Sequence, residues 1–387
     1  MLPPAEYSPL EAAEMVVRMA LQFILGNSGS GKSHFLYQHI IEEALCHPDI
    51  NYLVVVPEQF TMQTQRDLVS MHPHKGIMNI DVLSFGRLAY RIFEEVGGDD
   101  RTILDDEGKS LVLRKIAGDY EKELKVLGRN LKKPGYLSEI KSVISEFAQY
   151  GLDPEGLELV TEGLNEESYL FWKLRDIQTI YKGFQEYLEE RYITKEEILD
   201  VLRQAADRSE LLKHAVVALD GFTGFTPVQK KLLEKLMRLC MDVQITVEMD
   251  GRENPLVYET PYQLFALSKE MVTSLTRIAR EARVEIKEAV CLYERPVVRF
   301  RENPAMAFLE KELFRYSRAV YTEDQDAIRI SCSRTVKQEV SYAAEQIRHL
   351  VRTQGYRYKE IAVITADLGT YAEEVQRVFV QYQIPVF

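Results

Sequence analysis

Apolar positions along the chain follow two rhythms. Five short runs are rich in apolar and β-branched residues: Leu21-Gln22-Phe23-Ile24-Leu25, Tyr52-Leu53-Val54-Val55-Val56, Asn79-Ile80-Asp81-Val82-Leu83, Ala215-Val216-Val217-Ala218-Leu219 and Val243-Gln244-Ile245-Thr246-Val247. Runs of this length suit strands of a parallel sheet buried on both faces. Between them the apolar spacing changes to three and four residues. Phe35, Leu36, Ile40 and Ile41 predict a helix over residues 34–45. Further helices are predicted after Pro57, after Ser84-Phe85-Gly86-Arg87, and from Thr226-Pro227 through Cys240, with proline in the first turn. The β-α-β alternation predicts an α/β fold.

The alternation is interrupted and then resumed. Residues 107–113, 136–150, 169–192 and 195–206 carry apolar residues at helical steps, with no strand-like alternation between them. Residues 101–206 therefore read as a helical insertion between the two parts of one domain, 19–100 and 207–300. Residues 1–18 read as an N-terminal extension of uncertain start. Residues 301–325 read as a connecting segment. Ala327-Ile328-Arg329-Ile330-Ser331-Cys332 and Ile361-Ala362-Val363-Ile364-Thr365 are predicted strands, each followed by a helix. Residues 326–387 thus read as the start of a second α/β domain. Two parallel strands do not stand alone, so the chain is expected to be cut short.

Composition narrows the class. The 387 residues are 46% hydrophobic and 28% charged, as in globular chains. No apolar run approaches a membrane span. The net charge of −12 argues against gripping nucleic acid with the whole surface, though not against a local groove. Lys122, Lys125, Arg129, Lys132 and Lys133 would meet phosphates or form a solvated face. Tyr181, Phe184 and Tyr187 share one helical face, with Trp172 nearer the opposite side. They would stack bases or, more in keeping with their spacing, pack between helices. The four cysteines, Cys46, Cys240, Cys291 and Cys332, have no metal or redox spacing, and are expected reduced, mostly buried and cytoplasmic.

The chemistry concentrates between the first strand and the first helix. Gly26-Asn27-Ser28-Gly29-Ser30-Gly31-Lys32-Ser33 has the G-x-x-x-x-G-K-S pattern of a phosphate-binding loop. Glycines let backbone N–H groups turn inward around a phosphate, and the helix that follows points its positive end at the same place. Lys32 would reach the outer phosphates and Ser33 would help to hold magnesium. Asp220, at the carboxyl end of the fourth strand, would approach the same ion. An efficient ATPase usually has an acid beside that aspartate, but here the neighbour is Gly221. Sequence alone gives Glu234 and Glu248 no reason to lie at the γ-phosphate. The site is therefore expected to bind ATP and Mg²⁺ better than it hydrolyses.

Several segments, in order, resemble the amino-terminal region of the AddB family, the subunit paired with AddA in bacterial helicase–nucleases. They are Met19-Ala20-Leu21-Gln22-Phe23-Ile24-Leu25-Gly26, the phosphate loop, Val54-Val55-Val56-Pro57-Glu58-Gln59-Phe60-Thr61, Asp81-Val82-Leu83-Ser84-Phe85-Gly86-Arg87-Leu88, Leu219-Asp220-Gly221-Phe222 and Tyr356-Arg357-Tyr358-Lys359-Glu360-Ile361-Ala362-Val363. The resemblance implies a P-loop, RecA-like helicase-type domain of superfamily one that has lost most of its motor function. It further implies a heterodimer with an AddA-like helicase subunit, which processes double-strand DNA breaks for recombination and responds to a Chi sequence. Gln59, Thr61, Gln63, Ser84 and Phe85 match segments that line a single-strand path. The family's nuclease domain and iron–sulfur cluster belong to a carboxyl-terminal part with no counterpart here. An active superfamily-one helicase and a scaffold with a vestigial nucleotide site stay open as alternatives.

Overall fold

The computed structural model describes residues 19–97, 101–130, 133–189 and 191–386. The extension over residues 1–18 lies outside them. The chain falls into two compact units, one through Glu302 and one from Asn303 onward.

The first unit opens with β1 (Ala20–Gly26), α1 (Lys32–Cys46), β2 (Asn51–Val55), α2 (Thr61–Met71), β3 (Ile80–Leu83) and α3 (Phe85–Val96). A mainly helical stretch follows: β4 (Thr102–Leu104), α4 (Asp106–Asp119), α5 (Pro134–Gln149), α6 (Pro154–Glu162), α7 (Tyr169–Leu188), β5 (Tyr192–Thr194), α8 (Ile198–Ala205) and α9 (Glu210–Lys213). The sheet resumes with β6 (Ala215–Leu219), α10 (Pro227–Leu239), β7 (Asp242–Glu248), α11 (Ala266–Glu281), β8 (Glu285–Ile286) and β9 (Val290–Leu292).

The central sheet has seven strands in the order β3-β2-β6-β7-β1-β8, with β9 also on β1, and every pairing is parallel. The fold is α/β, as the alternation predicts. Successive side chains along a strand point to opposite faces. Leu21, Phe23 and Leu25 of β1 therefore join Leu53, Val217 and Ile245 in one core, beneath α3, α8, α10 and α11. Ile24, Val54, Val216 and Ala218 face the other way, onto Leu36, Ile40 and Ile41 of α1 and Leu68 of α2.

The inserted stretch has its own core, in which Leu113 and Ile116 of α4, Ile140 of α5 and Ile180, Tyr181 and Phe184 of α7 are buried. Two expectations are corrected here. β4 and β5 pair in parallel, so strands do interrupt the helices of 101–206. They are three residues each, too short to show as alternation. Ile198, Leu202 and Ala206 pack into the core of the large sheet, so the end of the expected insertion covers that sheet.

The second unit is built on α12 (Pro304–Glu312), α13 (Val336–Thr353) and α14 (Leu368–Gln381). Val340, Ala344 and Ile347 pack against Val378, Phe379 and Ile384. The predicted strands over 327–332 and 361–365 do not form, and Ile330 and Ile364 are 95% and 92% exposed. Their β-branched content is strand-like, but neither segment has a ladder partner, and a strand without one gains nothing from its propensity.

Among the described residues no helix is long and apolar enough to cross a membrane. The cysteines are free, and only Cys240 is buried, contrary to the expectation of mostly buried thiols. Burial pushes its thiol up to about 12.

Candidate functional site

The phosphate loop joins β1 to α1 by two left-handed steps, Gly29 at φ +80° and Gly31 at φ +95°. An L side chain is strained at either position. Space is also closed at Gly29, where an added Cβ would stand 2.7 Å from Cβ of Arg299. The loop is pinned by the Ser30 N–H donating to the Asn27 carbonyl at 3.0 Å. Asn27 also donates its side-chain amide to Asp250, which in turn accepts from Arg252 and Arg295. Arg299 lies against the loop, its N–H donating to the Gly29 carbonyl at 3.1 Å and its guanidinium to Ser28 Oγ at 3.4 Å.

Lys32 Nζ donates to the carbonyls of Gly26 and Asn27, each at 2.9 Å. Burial pushes its pKa below the ordinary lysine value. The charges of Glu248 and Asp220 pull it back up, and Arg299 lowers it further. A buried cation held by carbonyls beside a second cation is primed to meet an anion.

Asp220 follows β6, and its N–H donates to the Val55 carbonyl of the neighbouring strand at 3.0 Å. Its carboxylate is buried and gathers three hydroxyls. Oδ1 accepts from Ser33 at 3.1 Å and from Thr246 at 2.5 Å, and Oδ2 accepts from Tyr37 at 2.6 Å. The structure thus brings together Lys32, Ser33 and Asp220, as the sequence predicts.

These groups line one cavity of about 830 Å³ at the carboxyl ends of β1, β6 and β7, large enough for a nucleoside triphosphate. Ser33 and Asp220 fit a magnesium ion that takes its other ligands from phosphate and water. Among the described residues no group of three or more His, Cys, Asp or Glu could hold a metal by itself. The protein therefore supplies a half-site that a bound triphosphate would complete.

One acid overturns an expectation. Glu248 ends β7, which lies between β1 and β6, and it lines the same cavity. Strand order brings it there, and strand order is not visible in the spacing. Gly221 itself has φ +78°, so its backbone is one that side-chain-bearing residues rarely adopt.

The five DNA-path candidates divide. Gln59 and Gln63 are on the surface, with Gln63 donating to Asp67 at 2.7 Å. Thr61 is buried and donates to the Glu58 carbonyl. Ser84 caps α3 by accepting from the Arg87 N–H. Phe85 is buried against Phe222 and Phe225. Beside the surface glutamines, Phe60 and Met62 are 47% and 56% exposed. Large apolar residues next to polar ones after a strand's carboxyl end were the available signal for them.

In the insertion, Tyr181 and Phe184 are core residues, while Tyr187 is partly exposed under Lys115. Lys125 sits 3.1 Å over the Trp172 ring, and Lys133 donates to Asn130. Lys132 and the side chain of Arg129 lie outside the described residues.

Comparison with known proteins gives a consistent family. Residues 23–310 match the family model described as ADDB, N-terminal. Proteins named as AddB-type subunits of an ATP-dependent helicase/deoxyribonuclease are similar over 95% of the chain: 43% identical in Lachnoclostridium phytofermentans, 36% in Thermoanaerobacter sp. strain X514 and 33% in Clostridium acetobutylicum. The chain spans 32% of the length of each of these relatives. With the parallel sheet, the phosphate loop and Asp220 in place, the match to the family model is decisive: the chain belongs to the AddB amino-terminal family.

Proposed function

We propose that this chain is the nucleotide-binding, motor-deficient amino-terminal region of an AddB-like protein. It holds ATP with Mg²⁺ and pairs with an AddA-like helicase subunit. In the whole assembly it takes part in processing double-strand DNA breaks for homologous recombination, under control of a Chi sequence. The observation that carries the nucleotide reading is the convergence of Lys32, Ser33 and Asp220 on one cavity beside a glycine-built loop. When bound, magnesium would bridge phosphate oxygens and neutralise their charge. Lys32 would leave its loop carbonyls for the outer phosphates, and Ser33 and Asp220 would face the ion.

Single-stranded DNA is proposed to pass the surface after β2, where Gln59, Phe60, Met62 and Gln63 are exposed. Aromatic stacking with neutral hydrogen bonding suits bases without demanding a basic surface. The partner and the recombination role rest on the names of the relatives and on the family's resemblance.

Weak hydrolysis is part of the proposal, because Gly221 has no side chain beside Asp220. Glu248 supports a rival reading in which an acid from β7 activates water. ATP turnover by this chain alone decides between them. We expect background turnover with DNA present. Turnover at helicase rates, abolished in both Lys32→Ala and Glu248→Gln, would overturn the motor-deficient reading.

A further inference from the structure

Asp220 is held from a direction that the phosphate-loop pattern does not account for. Tyr37 lies one helical turn after Ser33 on the same face of α1. Its side chain is buried in the core between the sheet and α1, 5% exposed, yet its hydroxyl reaches Asp220 Oδ2 at 2.6 Å. The same hydroxyl lies 3.2 Å from Oγ1 of Thr64, a buried residue of α2. Burial and the neighbouring carboxylate push the Tyr37 pKa far above its ordinary value, so it stays protonated. Its one proton goes to the carboxylate. Its oxygen is then left to accept, which makes Thr64 the donor to Tyr37. The chain of bonds runs in one direction, from Thr64 to Tyr37 to Asp220.

We propose that Tyr37 is a positioning residue that fixes the Asp220 carboxylate for the magnesium ion, with Thr64 as its anchor on α2. Thr246 and Ser33 hold one oxygen, and Tyr37 alone of these three holds the other. Two oxygens held from different elements stop the carboxylate from rotating about its bond to Cβ. Magnesium demands near-ideal octahedral geometry, so a carboxylate free to turn would cost metal affinity more than nucleotide affinity. Partners that orient a metal-facing carboxylate act through affinity for the ion. The anchor also ties the carboxylate to the helix that begins beside Phe60 and Met62.

This inference rests on the proposed nucleotide reading, and the test separates the two. ATP binding is titrated by calorimetry in EDTA and across a Mg²⁺ series, for the wild type, Tyr37→Phe and Thr64→Val. Tyr37→Phe keeps the ring in the core and removes only the hydroxyl. We expect about a tenfold rise in the Mg²⁺ concentration for half-maximal effect. Affinity in EDTA should stay within about twofold, since the metal-free loop contacts are intact. Thr64→Val should shift the Mg²⁺ dependence in the same direction by less, and it carries the test if Tyr37→Phe does not fold. An unchanged Mg²⁺ dependence, or an equal loss with and without metal, would overturn the role of Tyr37. A wild-type chain that binds no ATP in either condition would overturn the nucleotide reading itself.

Discussion

Gly26 and Glu248 are register partners at the carboxyl ends of β1 and β7. The residue that opens the phosphate loop and an acid far along the chain are thereby neighbours across one parallel pairing. Glu248 faces the cavity and supports the charge of Lys32. It would also repel a triphosphate. Glu248→Gln should therefore bind ATP roughly threefold more tightly at neutral pH, the scale of a screened pair near the surface. The pH dependence has the opposite sense. Lys32 binds phosphate as an ammonium, so affinity is present below its pKa and is lost as pH rises through it. Removing Glu248 removes an influence that raises this pKa, and the alkaline loss should move to lower pH. Binding titrations from neutral to alkaline pH check both effects.

The two left-handed glycines differ in what surrounds them. A Cβ at Gly31 meets only Val298 Cγ2 at 3.8 Å, whereas at Gly29 it collides with Arg299. Gly31→Ala should cost about 1 kcal/mol from backbone strain alone. Gly29→Ala should cost about 2 kcal/mol or more and weaken ATP binding at least about tenfold, because the loop must also move. Urea unfolding and nucleotide titration of both variants test the ranking. Equal effects would show that Arg299 does not brace the loop.

Lys109 and Glu196 form a buried pair in the insertion, with Nζ at 2.6 Å from Oε2 and side chains 3% and 10% exposed. Removing one partner strands a buried charge. Lys109→Met should destabilise the chain by about 3 kcal/mol. The double variant Lys109→Met/Glu196→Met should recover most of that loss. ATP affinity should not change, since the pair belongs to a different core. Chemical denaturation with a nucleotide titration on each variant measures both quantities.

Some of this site was legible before any coordinates. The loop from Gly26 to Ser33 is a local pattern, and Asp220 is marked by the strand that it follows. Both depend on neighbours in sequence, so spacing reveals them. Glu248 was hidden because its place depends on β7 lying between β1 and β6, which is set by tertiary packing. Tyr37 was hidden for a different reason. At helical spacing an aromatic residue reads as core, and most of Tyr37 is core; only the hydroxyl serves the site. Ser84, Thr61 and Phe85 show the converse. Their types suggest contact with a ligand, but in the fold they cap a helix, close a turn and fill a core. The segments 327–332 and 361–365 show that β-branched residues without ladder partners do not make a strand.

The central claim is that the phosphate loop holds nucleotide. Calorimetric titration of the chain with ATP and Mg²⁺, beside Lys32→Ala, tests it most directly. The account predicts saturable binding by the wild type that is weakened at least about tenfold in Lys32→Ala, since each tenfold corresponds to about 1.4 kcal/mol and a charge-assisted phosphate contact contributes at least that much. Equal affinity in the two proteins, or no binding by the wild type, would contradict it.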